Sequence, residues 1–298
     1  MNESPVPRLA DAHNHLQDDR FAGAQEALMA TAAGAGVVRM VVNGSAEEDW
    51  PRVADLARRF PAVIPAFGCH PWYLRQRSPE WLAELKSWLE RTPDAVVGEI
   101  GLDRWMIENP DRWRAYLSAG SEVPDPPSLE EQEDAFCRQL RLAAEQNVSV
   151  SIHCLRAFGR LLELLESHPR PARGFLLHSY GGPAELVPAF VRLGAYFGFP
   201  GAFIHERKMR QRQTFRVVPP ERLLMETDAP DQRLPDDWNR HPLTDPATGN
   251  PLNHPANLQG IHGFLSEFLG IDGEALARQT TANFERLFGV PGSGGAGR

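Results

Sequence analysis

Six side chains suited to binding divalent cations recur along the chain, each at the end of a short apolar run. They are His13 and His15 in Asp-Ala-His-Asn-His, Glu99 in Val-Gly-Glu-Ile-Gly-Leu-Asp, His153 in Ser-Ile-His-Cys, His178 in Leu-Leu-His-Ser, and Asp228 in Met-Glu-Thr-Asp-Ala-Pro. Four imidazoles and two carboxylates suffice for two divalent ions with room left for water. A lone histidine on an apolar face is ordinarily a packed core residue. Two at i and i+2, closing a strand-like run, point the same way and invite a metal instead. Donors that are only nitrogen and oxygen suit Zn²⁺, Mn²⁺ or a similar ion. Mg²⁺ prefers oxygen ligands and is a poorer native match, though it could support turnover.

Within this set, Glu99 can bridge two cations through its carboxylate. Asp228 can bind one metal and take the proton of an attacking water, which makes Glu99 and Asp228 the candidate catalytic pair. His70, in Phe-Gly-Cys-His-Pro-Trp, and Glu226 are the candidates on the substrate-binding side. His70 would contact an oxyanion or leaving group, with a structural loop histidine as the plainer reading. Glu226 would be a further proton acceptor or a hydrogen-bond partner behind the ligands. Cys154 follows a ligand and should face the other side of its strand as a packed thiol. The run from His205 to Arg216 carries Arg207, Lys208, Arg210, Arg212 and Arg216. It reads as a solvated helix face from which one or two cations could steer phosphates. Trp105 and Trp113 are candidates to stack on a base. No Gly-x-Ser-x-Gly elbow, P-loop or dinucleotide-binding fingerprint is present, so nucleophilic serine and nucleotide-cradle chemistries have no support.

Residues this far apart need a scaffold that returns each strand end to one place. Strand-like runs occur at Leu9–His13, Val37–Asn43, Val63–Phe67, Ala95–Ile100, Val148–His153, Gly174–His178, Ala195–Phe199 and Arg222–Asp228. Amphipathic stretches at Ala22–Ala33, Ala46–Phe60, Glu80–Arg91, Leu129–Gln146, Phe158–Glu166 and Pro183–Leu193 alternate with them. Eight strand-like runs alternating with helical stretches predict a parallel (β/α)8 TIM barrel, whose C-terminal rim gathers the ligands. Two connections, 103–128 and 229–255, are longer than usual and read as substrate-covering loops, with packing on the rim as the plainer alternative.

The length of 298 residues suits one such barrel over 1–290, followed by a tail, 291–298, too rich in glycine to bury anything. The net charge of −8 argues against a dedicated polyanion-binding surface, but two bound dications would make the mouth locally positive. No run nears the ~20 apolar residues of a membrane span. No signal-like segment opens the chain, and Cys69, Cys137 and Cys154 show no paired spacing, so a cytoplasmic protein with reduced thiols is expected.

Taken in order, these motifs resemble the TatD-type metal-dependent hydrolases of the amidohydrolase superfamily. The resemblance extends through Gly68-Cys-His-Pro71, Gln132-x3-Phe136-x2-Gln139-Leu140, Asn253-x-Pro-Ala-Asn257 and Asn283-x2-Arg-Leu-Phe288. It implies two divalent metals, with His13, His15, Glu99 and Asp228 at one and Glu99, His153 and His178 at the other. It also implies phosphodiesterase or deoxyribonuclease activity through a hydroxide shared by the metals, on DNA ends or smaller phosphodiesters, without an obligate protein partner. Amide or ester hydrolysis on the same site is the alternative, and a catalytically silent metal-binding scaffold is a third. The chain departs from the family pattern at Arg104-Trp105 and the insertion that follows, at His254, and at Tyr180.

Overall fold

In the computed structural model, which describes residues 6–117 and 125–289, all eight apolar runs are strands. They are β1 (Leu9–Asn14), β2 (Val37–Asn43), β3 (Val63–Phe67), β4 (Val96–Asp103), β5 (Val150–Leu155), β6 (Phe175–Leu177), β7 (Ala195–Pro200) and β8 (Leu223–Glu226). Each pairs in parallel with the next, in chain order. The circle closes just past the strand ends, where the Asp228 N–H donates to the His13 carbonyl at 2.9 Å and the His15 N–H to the Ala229 carbonyl at 2.8 Å. Asp11, fully buried, ties the same seam by accepting from the backbone N–H and hydroxyl of Thr227. The fold is the expected (β/α)8 barrel.

Around it lie α1 (Gln25–Gly34), α2 (Trp50–Arg59), α3 (Trp81–Arg91), α4 (Arg104–Glu108), α5 (Pro110–Leu117), α6 (Leu129–Gln146), α7 (Phe158–Ser167), α8 (Val187–Arg192), α9 (Met209–Thr214), α10 (Leu258–Leu269) and α11 (Gly273–Phe288). The longest, α6, is bounded by signals readable in the sequence. Ser128 and Glu131 form a reciprocal capping box, and Asn147 ends the helix in the left-handed conformation at φ 50°. The two C-terminal helices escaped the sequence reading. α10 carries Gly260 and Gly263, and α11 starts at a glycine and contains Thr280-Thr281, all poor helix formers. Burial of Ile261 and Leu265 in one, and of Phe284 and Leu287 in the other, outweighs that local preference.

Side chains alternate between two apolar layers. Leu177, Phe197 and Phe199 belong to the large outer layer shared with the helices, whereas Leu176, Tyr196 and Leu224 join a smaller set that includes Phe284 and Leu287 of α11. Strand periodicity puts His178 on the face of Leu176, and Glu226 on the face of Leu224. His178 and Glu226 therefore rise from an apolar floor.

The two long connections differ from expectation. Segment 103–128 is largely helical where described, as α4 and α5, and 118–124 lies outside the described residues, as does the tail. Segment 229–255 contains a short antiparallel ladder, β9 (Leu243–Thr244) with β10 (Pro251–Leu252). The last barrel strand also ends earlier than the run Arg222–Asp228 suggests. Asp228 sits at φ 52°, a left-handed conformation that turns it out of the sheet.

Candidate active site

The site begins with a glycine. Gly101, on β4, has φ 150°, and a Cβ there would lie 1.9 Å from the His153 carbonyl oxygen. Only glycine lets β4 press this closely on β5, where Gly101 pairs with His153 across an irregular register. This contact sets Glu99, two residues earlier on β4, against the histidines of the neighbouring strands. The Glu99 carboxylate lies 3.3 Å from His15 Nε2, 3.6 Å from His13 Nε2, 3.2 Å from His153 Nδ1 and 3.8 Å from His178 Nε2.

Asp228 faces the same group from the opposite side, 3.4 Å from His15 Nε2, 3.6 Å from His13 Nε2 and 3.8 Å from His178 Nε2. All six sequence-derived ligand candidates thus meet in one place. Three triads there have ligand atoms within 4.8 Å of one another: His13, Glu99 and His178; His13, His15 and Asp228; and His70, Glu99 and His153. The mixed imidazole and carboxylate donor set fits borderline divalent ions.

Each imidazole is aimed by a partner on its far nitrogen. His13 Nδ1 is 2.8 Å from Ser151 Oγ, and His15 Nδ1 is 2.8 Å from the Asn43 carbonyl. His178 Nδ1 lies 3.0 Å from Glu226 Oε1, out of line for a hydrogen bond but close enough for charge attraction. His153 Nε2 lies 3.1 Å from Asp103 Oδ2. Such outer partners orient metal-binding histidines and choose which nitrogen is free.

Protonation follows the crowding of charge. Burial disfavours charge on every group here, yet opposite charges outweigh it at most of them. Against burial, Asp103 and Glu99 push His153 up to about 10, and Glu226 and Asp228 push His178 up to about 9. Asp228 and Glu99 raise His15 well above the ordinary histidine range. Conversely, despite burial, His178 holds Asp228 down to about 2, and His70 and His13 hold Glu99 well below the carboxylate range. Protons on the histidines thus neutralise the carboxylates, as cations would. His13 and His70 behave differently, because burial lowers both, His70 to about 3.

Two expected substrate contacts part company. His70 lines the cleft, with Nδ1 accepting the Trp72 N–H at 3.1 Å and Nε2 3.5 Å from Glu99. Glu226 is fully buried and accepts from the N–H and hydroxyl of Ser179 at 2.6 and 2.8 Å. It cannot touch substrate and instead stands behind His178. A glycine makes the space, since a Cβ on Gly198 would come within 2.0 Å of Glu226 Oε2.

The cleft above these ligands has a volume of about 440 Å³ and is walled by Trp72, Tyr73, Asp49, Arg20 and Arg52, among others. Arg20 reaches from the β1 loop to Asp231 in the β8 loop, gripping its carboxylate with two bonds of 2.9 and 2.7 Å while also binding Asp18. Several sequence-derived expectations fail at this wall. Among the described residues, none from 104–128 lines the cleft, and 229–255 contributes Asp231 and Gln232. Trp113 is buried at 1 % exposure, so it cannot stack on a ligand. Trp105 is set back from the cleft against Trp72, with ring centroids 6.5 Å apart. The cations of 205–216 do not face the cleft, and Arg212 is buried against Phe264 while donating to the Ile204 carbonyl.

The sequence reading assigned no role to Trp72, Asp103, Ser151 or Gln232. Gln232 donates to Asp228 Oδ2 at 2.9 Å. Their only local signal was proximity to a ligand motif, because what they touch lies 50 to 138 positions away for Asp103 and Ser151.

Comparison with known proteins agrees with this geometry. The family profile described as TatD related DNase matches residues 10–289. The chain is 30% identical over 288 residues to the uncharacterized metal-dependent hydrolase YjjV of Escherichia coli K12, covering 96% of this chain and 100% of that protein. It is 32% identical over 287 residues to the 3'-5' ssDNA/RNA exonuclease TatD of the same organism, covering 95% and 99% respectively. The crystal structure of YjjV superposes with a TM-score of 0.80 over 96% of this chain and 100% of that one. A TatD family hydrolase from Entamoeba histolytica, 17% identical, shares the fold with a TM-score of 0.75.

Proposed function

The chain belongs to the TatD-related DNase family, and on that premise we propose that this metal-dependent hydrolase cleaves phosphodiester bonds in single-stranded nucleic acid or its short fragments. The observation that carries this reading is the convergence of His13, His15, Glu99, His153, His178 and Asp228 on one cleft, where Glu99 lies within 3.8 Å of all four histidines and two ligand triads of these residues share His13. Shared members suit two ions better than one. We assign His13, His15, Glu99 and Asp228 to one ion and Glu99, His153 and His178 to the other, with Zn²⁺ or Mn²⁺ as the native metal. When bound, such ions would polarise the phosphoryl oxygens and lower the pKa of the attacking water.

The chain's own groups supply the remainder. Asp228 takes the proton of the attacking water at Oδ1, while Oδ2 is held by the Gln232 amide. Glu99 faces all four ligand histidines and stays ionised. His70 accepts the Trp72 N–H at Nδ1, so its proton sits on Nε2, a neutral donor for a phosphoryl oxygen as charge builds there. Three unpaired cysteines, two of them buried, support a reducing, cytoplasmic setting. No helix among the described residues is long and apolar enough to cross a membrane.

The test is metal content together with hydrolysis of bis(p-nitrophenyl) phosphate and single-stranded DNA, for wild type and Asp228→Asn. About two ions per chain and a loss of at least 100-fold in kcat are expected, the size of effect a positioned proton acceptor provides. Bound metal with amide but no phosphodiester cleavage would overturn the substrate assignment and leave the site.

A further inference from the structure

Most hydrogen-bond donors on the cleft wall are already engaged by the protein. The Gln17 amide donates to the Asn43 carbonyl and to Asp49, and the Ser179 hydroxyl donates to Glu226. The Gln232 amide holds Ser179 and Asp228, the Trp72 indole holds Asp103, and Arg20 is gripped between Asp18 and Asp231. Tyr73 is different. It is half-buried on the same wall, and its hydroxyl makes no hydrogen bond among the described residues. It belongs to the 3-10 turn Pro71–Gln76, which is anchored on His70. The His70 ring accepts the Trp72 N–H, and the His70 carbonyl accepts the Tyr73 N–H at 3.0 Å. The imidazole and phenol rings lie 6.1 Å apart, with His70 Nε2 3.5 Å from Glu99. One turn therefore presents both rings to the same cleft.

Asp228 takes the proton of the attacking water and His70 faces a phosphoryl oxygen, which leaves the departing alkoxide without a donor. We propose that Tyr73 is a further catalytic residue, giving its phenolic proton to the leaving oxygen. As the P–O bond breaks, its electron pair passes to the sugar oxygen, and that oxygen takes the proton from Tyr73. Water in the cleft then returns a proton to the phenolate. Burial, with Asp49, Glu99 and Asp18 nearby, raises the pKa of the phenol, so it carries its proton at neutral pH. The Ser45 hydroxyl also lines the cleft, but an alcohol is no stronger an acid than the alcohol that must depart, whereas a phenol is far stronger. This rests on the phosphodiesterase reading above and adds the group that protonates the product.

The experiment is single-turnover hydrolysis by metal-loaded wild type and Tyr73→Phe on two substrates. A single-stranded DNA oligonucleotide releases an alkoxide, whereas bis(p-nitrophenyl) phosphate releases a nitrophenolate that departs without a proton. Tyr73→Phe should lose about 100-fold in rate on the oligonucleotide, the lower end of what a positioned acid provides, and less than about threefold on the nitrophenyl ester. Its zinc content and thermal midpoint should match wild type, because the hydroxyl has no partner in the fold. Equal losses on both substrates would overturn the proton-donor role. Equal rates for the two proteins on DNA would overturn any role for the hydroxyl. Either outcome leaves the phosphodiesterase reading standing, since wild type remains active. Wild type that binds metal and cleaves neither substrate would overturn that reading and this proposal together.

Discussion

At Trp72 and Trp113 two tryptophans that look alike in composition have opposite fates. Trp72 is half-buried, walls the cleft and has its indole edge pinned by Asp103. Trp113 is buried in the packing away from the cleft lining. Trp72→Ala should therefore raise KM for single-stranded oligonucleotides at least fivefold, since stacking on one base is worth ~1–3 kcal/mol, and lower the thermal midpoint modestly through the lost indole bond to buried Asp103. Trp113→Ala should leave KM unchanged and cost more stability, about 3–5 kcal/mol. Steady-state kinetics and chemical denaturation on the same preparations separate the two, and equal KM values for Trp72→Ala and wild type would remove Trp72 from the substrate site. The ligands themselves were legible because histidine and carboxylate at strand ends have few other uses. The residues that aim them were not, because serine, glutamine and aspartate acquire such roles only from neighbours distant in sequence.

At the scale of elements, α6 acts as a clip for two strand ends. Gln132 and Gln139 are seven residues apart and hence on one helix face. Gln132 exchanges hydrogen bonds with both backbone groups of Asp103 at the end of β4, and also donates to the Pro127 carbonyl. Gln139 does the same with Cys69, next to His70, at 2.8 and 3.2 Å. Both amides are buried, so each removal strands polar backbone groups away from water. Gln132→Ala should cost about 2–4 kcal/mol in a urea titration, from unmet hydrogen bonds plus a cavity, and weaken metal binding through Asp103. A stable Gln132→Ala protein with intact metal affinity would show that α6 packs on the barrel without steering the site. The periodic apolar face made α6 visible in the sequence. That its glutamines were fasteners became clear only once β3 and β4 were seen beneath them.

For the whole molecule, the charge balance of the site couples metal binding to pH. The raised histidines hold protons near neutrality, and metal must displace them, so zinc affinity should climb from pH 6 to pH 9. Stability of metal-free protein should run the other way. A histidine whose folded pKa lies above its unfolded value of ~6.5 stabilises fully below that value and loses the contribution as pH rises through the folded one. With His178 at about 9 and His153 at about 10, the thermal midpoint of EDTA-treated protein should fall between pH 7 and pH 10. Added zinc should abolish that fall. A flat profile without metal would mean the histidines are not held charged by Glu99, Asp103 and Asp228. Eight strand-like runs alternating with helical stretches, five of them ending in ligands, are enough to specify the barrel, its catalytic rim and the metal-binding candidates, since hydrophobic periodicity and donor chemistry are local properties of the chain. Which tryptophan meets the cleft, which glutamate is walled in, why the basic run faces away and which nitrogen of His153 points inward all depend on contacts between residues far apart in sequence. Those contacts exist only after the strands have closed.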